Sequence, residues 1–178
     1  MKCRWLIFLV VALTVIGCKQ SAPVAAVPMT NAPPATNALP YLPYAQTNLT
    51  VIKLYVGAHE LQAECALSLQ QMATGMMWRT NLDENAAMLF AFGRPHRASF
   101  YMRNTKVPLS AAYIDPDGVV REIHELKPLD ETGSEADSDQ IQYVLEANRG
   151  WFARHGVSTG AVVRTQFGAL SKTFSFQP

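Results

Sequence analysis

The chain has few cysteines, no block of basic residues and no apolar run long enough to cross a membrane as a helix. Its 178 residues contain 3 cysteines, and their formal net charge is +1. Without a cluster of Lys and Arg to follow a phosphate backbone, the sequence argues against nucleic-acid binding. A spanning helix needs about 20 apolar residues, whereas the longest apolar run covers residues 5–16 and is interrupted by Thr14. The sequence therefore predicts neither a membrane-spanning helix nor a nucleic-acid-binding surface.

The first eighteen residues have the layout of a secretory signal peptide. Lys2 and Arg4 precede the apolar run, and Gly17 stands directly before Cys18. A small residue followed by cysteine at the cleavage point resembles the signal of bacterial lipoproteins. We therefore expect residues 1–17 to be removed and Cys18 to be lipidated, which would hold the protein on a membrane in an extracytoplasmic compartment.

The residue after the lipidated cysteine bears on sorting. Position 19 is lysine, so the aspartate that marks inner-membrane retention in Gram-negative lipoproteins is missing. In such a host we expect placement in the outer membrane, facing the periplasm. Cys3 leaves with the signal and Cys18 carries lipid, so Cys65 has no disulfide partner in the mature chain. A buried thiol is the expected state of Cys65, because free cysteine packs as a small apolar residue.

A spacer and one domain follow the lipidated cysteine. Residues 18–48 contain six prolines, and no charged residue lies between Lys19 and Lys53. Proline at this density breaks helices and central strands, which predicts a disordered tether. The part best suited to dock on the domain is the apolar end of the tether, residues 39–44. We place the domain at residues 49–170 and a C-terminal tail at residues 171–178.

Short β-branched and apolar runs separated by turn residues predict a mainly β domain, either a small closed barrel or a sandwich. One or two short helices complete the prediction, one of them at residues 67–77, where apolar residues recur at helical spacing. The expected strands cover residues 50–56, 60–65, 88–92, 98–103, 109–114, 119–126, 141–147 and 161–167.

Several segments resemble the motifs of one family. They are residues 75–79 (GMMWR) for G-L-M-x-R, residues 88–92 (MLFAF) for M-L-F-x-F, residues 100–109 (FYMRNTKVPL) for F-W-M-K-N-T-x-x-P-L-D, and residues 143–146 (YVLE) with Gly150, Gly156 and Gly160 for Y-V-L-E…G…G-I-x-x-G-D. In order and spacing they are similar to DUF192, a family named as a domain of unknown function, over about residues 51–167. The resemblance implies a small mainly β fold with a barrel-like core, frequent export, and no assigned reaction.

Two positions depart from the family pattern. Ser110 stands where the P-L-D motif ends in aspartate, and Ala161 stands where the G-D motif does. Both replacements remove a carboxylate. If relatives used those aspartates for acid–base or metal chemistry, this chain would lack it.

The polar residues of the matched motifs are the candidate binding site. Grouped around an apolar wall, they would form a pocket with a few convergent polar groups. A purely structural role, in which Arg79 pairs with Glu146, is the alternative. The predicted ligand-binding residues are Met77, Arg79, Tyr101, Met102, Arg103, Asn104, Thr105 and Glu146.

The sequence gives no metal or cofactor motif. The four histidines lack metal-ligand spacing, a zinc site has no cysteine pair, and the methionines fall at core positions. We therefore expect no metal, no cofactor and no assigned catalytic residue. The favoured function is non-enzymatic binding of a small polar ligand or an envelope partner. The alternative is an envelope hydrolase that uses Glu146 as an acid or base. Nothing in the pattern fixes the oligomeric state.

The lipoprotein-like signal that ends at Cys18, which we call the lipobox, gives a first prediction. Because lipid is attached through the thiol, replacing Cys18 with Ser should leave an unprocessed or soluble species, whereas the native chain should sediment with membranes. Intact-mass measurement of the mature native protein tests this, and an unmodified thiol at position 18 would contradict it.

Overall fold

The computed structural model describes residues 40–175, which form ten strands and three short helices. The signal peptide, Cys18 and its lipidation, the tether up to residue 39 and the last three residues of the predicted tail lie outside the described residues. The elements are β1 (Val51–Val56), β2 (His59–Ala66), α1 (Leu69–Thr74), β3 (Ala86–His96), β4 (Ser99–Phe100), β5 (Leu109–Ile114), β6 (Val120–Leu126), β7 (Ser134–Glu135), β8 (Ile141–Asn148), α2 (Trp151–Arg154), β9 (Val163–Thr165), β10 (Gly168–Ala169) and α3 (Leu170–Thr173).

The mainly β class is confirmed, but the closed barrel is not. Eight strands form one sheet in the order β10-β9-β1-β2-β3-β8-β5-β6, and β4 pairs with β7 in a separate two-stranded sheet. The edge strands β6 and β10 do not pair with each other in the described part of the chain. An isolated bridge between Val119 and Val162 links the residues just before β6 and β9, but β6 forms no ladder with β9 or β10 among the described residues. The sheet therefore curls without closing into a barrel, and the domain is sandwich-like.

The three central strands β3, β8 and β5 are covered on both faces, which explains their continuous apolar sequences. On one face Leu89 and Leu145 enter a core shared with β1, β2 and α2. On the other face Phe90, Val144 and Tyr113 enter a second core beneath α1 and the β4–β7 pair. Side chains alternate between the faces of a strand, so each central strand contributes to both cores.

Helix α1 connects the parallel strands β2 and β3. Its start is set by a capping box, in which Ser68 Oγ accepts from the Gln71 N–H and Gln71 Oε1 accepts from the Ser68 N–H. The helix ends at Thr74, three residues before the predicted end, because Gly75 adopts a left-handed φ of 48°. Among residues 40–175 no helix combines the length and the apolar character that crossing a membrane requires.

Other boundaries also differ from the sequence prediction. The strand expected at residues 98–103 contains only the two residues of β4. Strand β8 extends to Asn148, one residue past the predicted end, and Asn148 donates its amide to the carbonyls of Leu82 and Asp83. Residues 171–173, assigned to the tail, belong to α3, which begins at the buried Leu170.

The last nine residues of the predicted tether, 40–48, lie against the domain, and we call them the N-terminal strap. Leu42 donates its N–H to Thr74 Oγ1 over 3.0 Å, and its carbonyl accepts from Trp78 Nε1 over 2.9 Å. Proline excludes regular structure from a segment without preventing it from packing. Part of the segment assigned to the tether therefore packs on the domain, and Leu42 makes the kind of contact expected of residues 39–44.

Gln46 is the buried anchor of the strap. Its Nε2 donates to the carbonyls of Gln71 (3.0 Å) and Gly75 (2.9 Å), at the end of α1. Gln46→Ala should lower the free energy of unfolding by about 1–3 kcal/mol, because buried carbonyls lose their donor. Urea melts measure this change, and Gln140→Ala is the control because that amide is exposed. A chain starting at residue 49 should be less stable than one starting at residue 40. Equal stability of these two chains would contradict the prediction.

Candidate ligand-binding site

One row of paired residues crosses the large sheet and carries Glu146 at its centre. In register order the row is Glu64 on β2, Met88 on β3, Glu146 on β8, Ala111 on β5 and His124 on β6. Residues opposite each other on neighbouring strands point to the same face. The row therefore places one carboxylate in the middle of the sheet and a second one two strands away.

A cavity of about 250 Å³ lies against this face of the sheet. Its walls are mainly apolar and aromatic, and Glu146 is the single carboxylate among the lining residues. The lining consists of Met72, Ala73, Thr74, Gly75, Met76, Met77, Phe90, Phe92, His96, Ser99, Phe100, Tyr101, Thr105 and Glu146.

The carboxyl group of Glu146 is buried and lacks a hydrogen-bond partner among the described residues. Only 4% of the residue is exposed. Burial raises the pKa of Glu146 to about 8, and the positive charge of Arg79 opposes that rise without cancelling it. A carboxyl group in this position holds its proton near neutral pH and is available to a ligand in the cavity.

Arg79 does not form the ion pair with Glu146 on which the purely structural alternative depends. Its guanidinium forms an ion pair with Glu64, and its Nη2 also donates to the carbonyl of Gln46 over 3.4 Å. The side chain of Arg79 is 17% exposed. Glu64 pairs with Arg79 in place of Glu146, because β2 brings Glu64 to the same face of the sheet, close to the strap. Arg79 thus acts on Glu146 through its charge, without direct contact.

Three more of the predicted residues, Met77, Tyr101 and Thr105, line the cavity together with Glu146. Asn104 lies behind them. It has a left-handed φ of 55°, its carbonyl accepts from the Trp78 N–H over 2.8 Å, and its amide lies 3.9 Å from Met77 Sδ. Asn104 is therefore a residue that shapes the loop behind the wall.

The remaining two predicted residues do not line the cavity. Met102 is packed in the second core. Arg103 is exposed at the surface, where it bonds Glu131 over 2.6 Å and lies 5.3 Å from the centre of the Tyr101 ring. The motif places them next to Tyr101 in sequence, but their side chains take other directions.

Sequence reasoning missed the aromatic wall. Phe90, Phe92 and Phe100 line the cavity, with His96 beside them. The rings meet edge to face, at 4.8 Å between Phe90 and Phe100 and 4.5 Å between Phe92 and His96. The alternation of side chains along a strand could have revealed this wall. Phe90 and Phe92 are two residues apart on β3, the strand next to Glu146, and so point to the same face.

Other candidates for chemistry lie elsewhere. Cys65 is 2% exposed, as expected, and burial raises the pKa of its thiol to about 11, so it is not a thiolate nucleophile near neutral pH. Within residues 40–175, no three His, Cys, Asp or Glu side chains cluster in a way that would hold a metal ion. Ser110 is buried, donates to Glu125 Oε1 over 2.6 Å and accepts from the Gly150 N–H over 2.7 Å.

The fold and the cavity define a small sandwich-like domain with one buried carboxyl group facing an aromatic pocket. The chain belongs to the DUF192 family, described as "Uncharacterized ACR, COG1430", whose model matches residues 52–165. The family resemblance predicted from the motifs is thereby confirmed. The match spans the cavity and all the predicted ligand-binding residues.

Two solved structures are similar to the chain. A candidate transcription regulator from Sinorhizobium meliloti 1021 is 29% identical, with a TM-score of 0.65, and the match covers 68% of this chain and 98% of that one. A protein of unknown function from Novosphingobium aromaticivorans DSM 12444 is 34% identical, with a TM-score of 0.63, covering 65% of this chain and 86% of that one. Comparison with curated proteins gives no significant match.

The raised pKa of Glu146 predicts how stability depends on pH. Between its ordinary value of 4.5 and about 8, the folded chain keeps a proton that the unfolded chain releases. The free energy of unfolding should therefore fall as pH rises through this window, by up to about 1.4 kcal/mol per pH unit, and level off above it. Glu146→Gln removes this dependence, so the variant should match the wild type near pH 4.5 and exceed it by a few kcal/mol at pH 8.

Urea melts at several pH values check this prediction. Glu135→Gln is the matched control, because Glu135 is exposed on β7. If the Glu146→Gln variant and the wild type lose stability in parallel over the whole window, Glu146 does not keep its proton in the folded state.

Proposed function

We propose that the domain is a non-enzymatic binding module that takes a small ligand into the cavity lined by Glu146. The observation that carries the proposal is the buried carboxyl group of Glu146, which has no hydrogen-bond partner among residues 40–175 and lies at the wall of a cavity of about 250 Å³. Buried polar groups are almost always hydrogen-bonded, and leaving one unsatisfied is costly. A ligand that supplies the missing partner would remove that cost.

The lining indicates the character of the ligand. Three phenylalanine rings and three methionines surround one carboxyl group, which suits a largely apolar molecule with one polar group. Arg79 is already paired with Glu64, so it is not available to bind a carboxylate of the ligand. The cavity therefore does not favour a ligand that carries a carboxylate.

The proposed setting of this module is the cell envelope. The lipobox at Cys18 supports a lipid anchor, and Lys19 supports placement in the outer membrane, facing the periplasm, in a Gram-negative host. The strap enters the domain beside α1, and residues of α1 line the cavity. A tether ending there would hold the binding module at the membrane surface.

The name of the relative from Sinorhizobium meliloti raises nucleic acid as a partner. The charges of this chain favour a small ligand instead, because many of its basic side chains are engaged by carboxylates and are not arranged to follow phosphates. Six such ion pairs involve Lys53, Arg79, Arg103, Arg121, Arg149 and Arg154.

A hydrolase is the second candidate, favoured by one observation. A carboxyl group with a pKa of about 8 is suited to act as a general acid near neutral pH. His96 and Ser99 also line the cavity, but no hydrogen bond among the described residues joins them to each other or to Glu146. Turnover of p-nitrophenyl acetate that disappears in Glu146→Gln would favour this candidate over the binding module.

Blocking the cavity tests the proposed function. Ala73 lines the cavity on α1, so Ala73→Phe should fill it, while Ala153→Phe adds the same side chain at an exposed position of α2. Calorimetry with phenol, benzyl alcohol and benzylamine should show saturable one-to-one binding to the wild type and to Ala153→Phe, and at least a tenfold loss in Ala73→Phe. No binding by any probe, or equal binding by Ala73→Phe, would contradict the proposal.

A further inference from the structure

We propose that the cavity binds a small organic ammonium ion, held by the Glu146 carboxylate and the aromatic wall. This inference rests on the proposed function, because it names the chemical class of the ligand for the same cavity. Three independent observations support it: the balance of charge across the sheet, the chemistry of the walls and the position of the carboxyl group.

In the part of the chain that the structure describes, Glu146 has no cation in direct contact. Glu64 and Glu146 are two carboxylates on one face, and Arg79 is the cation that serves them. Since Arg79 is bound to Glu64, the carboxyl group of Glu146 is left to a proton or to a cation from outside. Buried charges are found paired, so a cationic ligand completes the row in a way that a neutral or anionic ligand does not.

The walls are suited to an organic cation. Aromatic faces attract ammonium groups, by about 2 kcal/mol or more where the contact is desolvated. Phe90, Phe92 and Phe100 line the cavity, and so does Tyr101, which is 40% exposed. Methionine thioethers add polarizable surface that adapts to methyl or methylene groups.

A metal ion does not fit the same walls. Calcium requires six to eight oxygen ligands, and magnesium requires an octahedral shell. Glu146 is the single carboxylate in the lining, and within the described part of the chain no cluster of three metal-ligating acids, histidines or cysteines exists. The cavity thus offers one negative charge and many rings, a combination that favours an alkylammonium ion over an inorganic cation.

Protons compete with such a ligand for Glu146. A cation binds the ionised carboxylate, so affinity should fall as pH drops below about 8 and level off above it. Glu146 is surrounded by a small set of other titratable or charged groups. They are Arg79 beside the strap, Glu64 on β2, His96 at the end of β3, Tyr101 after β4, Tyr113 on β5 and His124 on β6.

A matched pair of probes tests the inference. Choline and 3,3-dimethylbutan-1-ol have nearly the same shape, and only choline carries a positive charge. Calorimetry on the full chain in neutral detergent at pH 8.5 should show choline binding at least tenfold more tightly than the alcohol. Ala73→Phe, which fills the cavity, is the negative control and should bind neither probe. Choline affinity should be about tenfold lower at pH 7 than at pH 9, since a group with a pKa of about 8 is then largely protonated.

Variants separate the roles of the charged groups. Glu146→Gln should abolish the preference for choline over the alcohol, while Glu135→Gln should leave the affinities for both probes unchanged. The pH dependence of choline affinity should persist in His96→Gln, which removes the histidine that lines the cavity.

The possible failures are distinguishable. If the alcohol binds as tightly as choline, and Ala73→Phe abolishes both, the cation inference is overturned while the binding module stands. If neither probe shows binding that Ala73→Phe removes, the proposed function falls as well.

Discussion

Burial of β8 on both faces of the sheet determines what Glu146 is able to do. A carboxylate within a sheet that is covered on both sides loses its water, and charge is costly there unless a cation or several donors replace that water. Six of the eight residues of β8 are buried, and the strand lies between β3 and β5. The raised pKa of Glu146 and its openness to a ligand both follow from this position.

The N-terminal strap contacts residues that also position the cavity and the charge near Glu146. Gln46 caps the last carbonyls of α1, and its own carbonyl accepts from Arg79, the residue that binds Glu64. Residues that follow α1 form one wall of the cavity. A change in the strap therefore reaches the cavity through short-range contacts, either by loosening the end of α1 or by shifting the charge of Arg79 relative to Glu146.

Most strands and the inward direction of Glu146 were predictable from the sequence, because they depend on local patterns. Alternation places Glu146 on the same face as Val144, and this is the face that lines the cavity. The partner of Arg79 was not predictable in this way. Glu64 comes close to Arg79 through the parallel pairing of β2 with β3, and that register depends on the whole fold. The choice between a closed barrel and a sandwich stayed open at the level of sequence for a similar reason, since closure depends on how far the two ends of the sheet curl.

Ser110, which stands where the family motif has an aspartate, does not belong to the Glu146 site. Ala111 points to the face that carries Glu146, so its neighbour Ser110 points to the opposite face. There its hydroxyl joins Glu125 to the backbone of Gly150, just before α2. An aspartate would still accept from that N–H but would repel Glu125, whereas serine satisfies both neighbours without added charge. The departure thus changes a turn behind the sheet and leaves the cavity and its one carboxyl group intact.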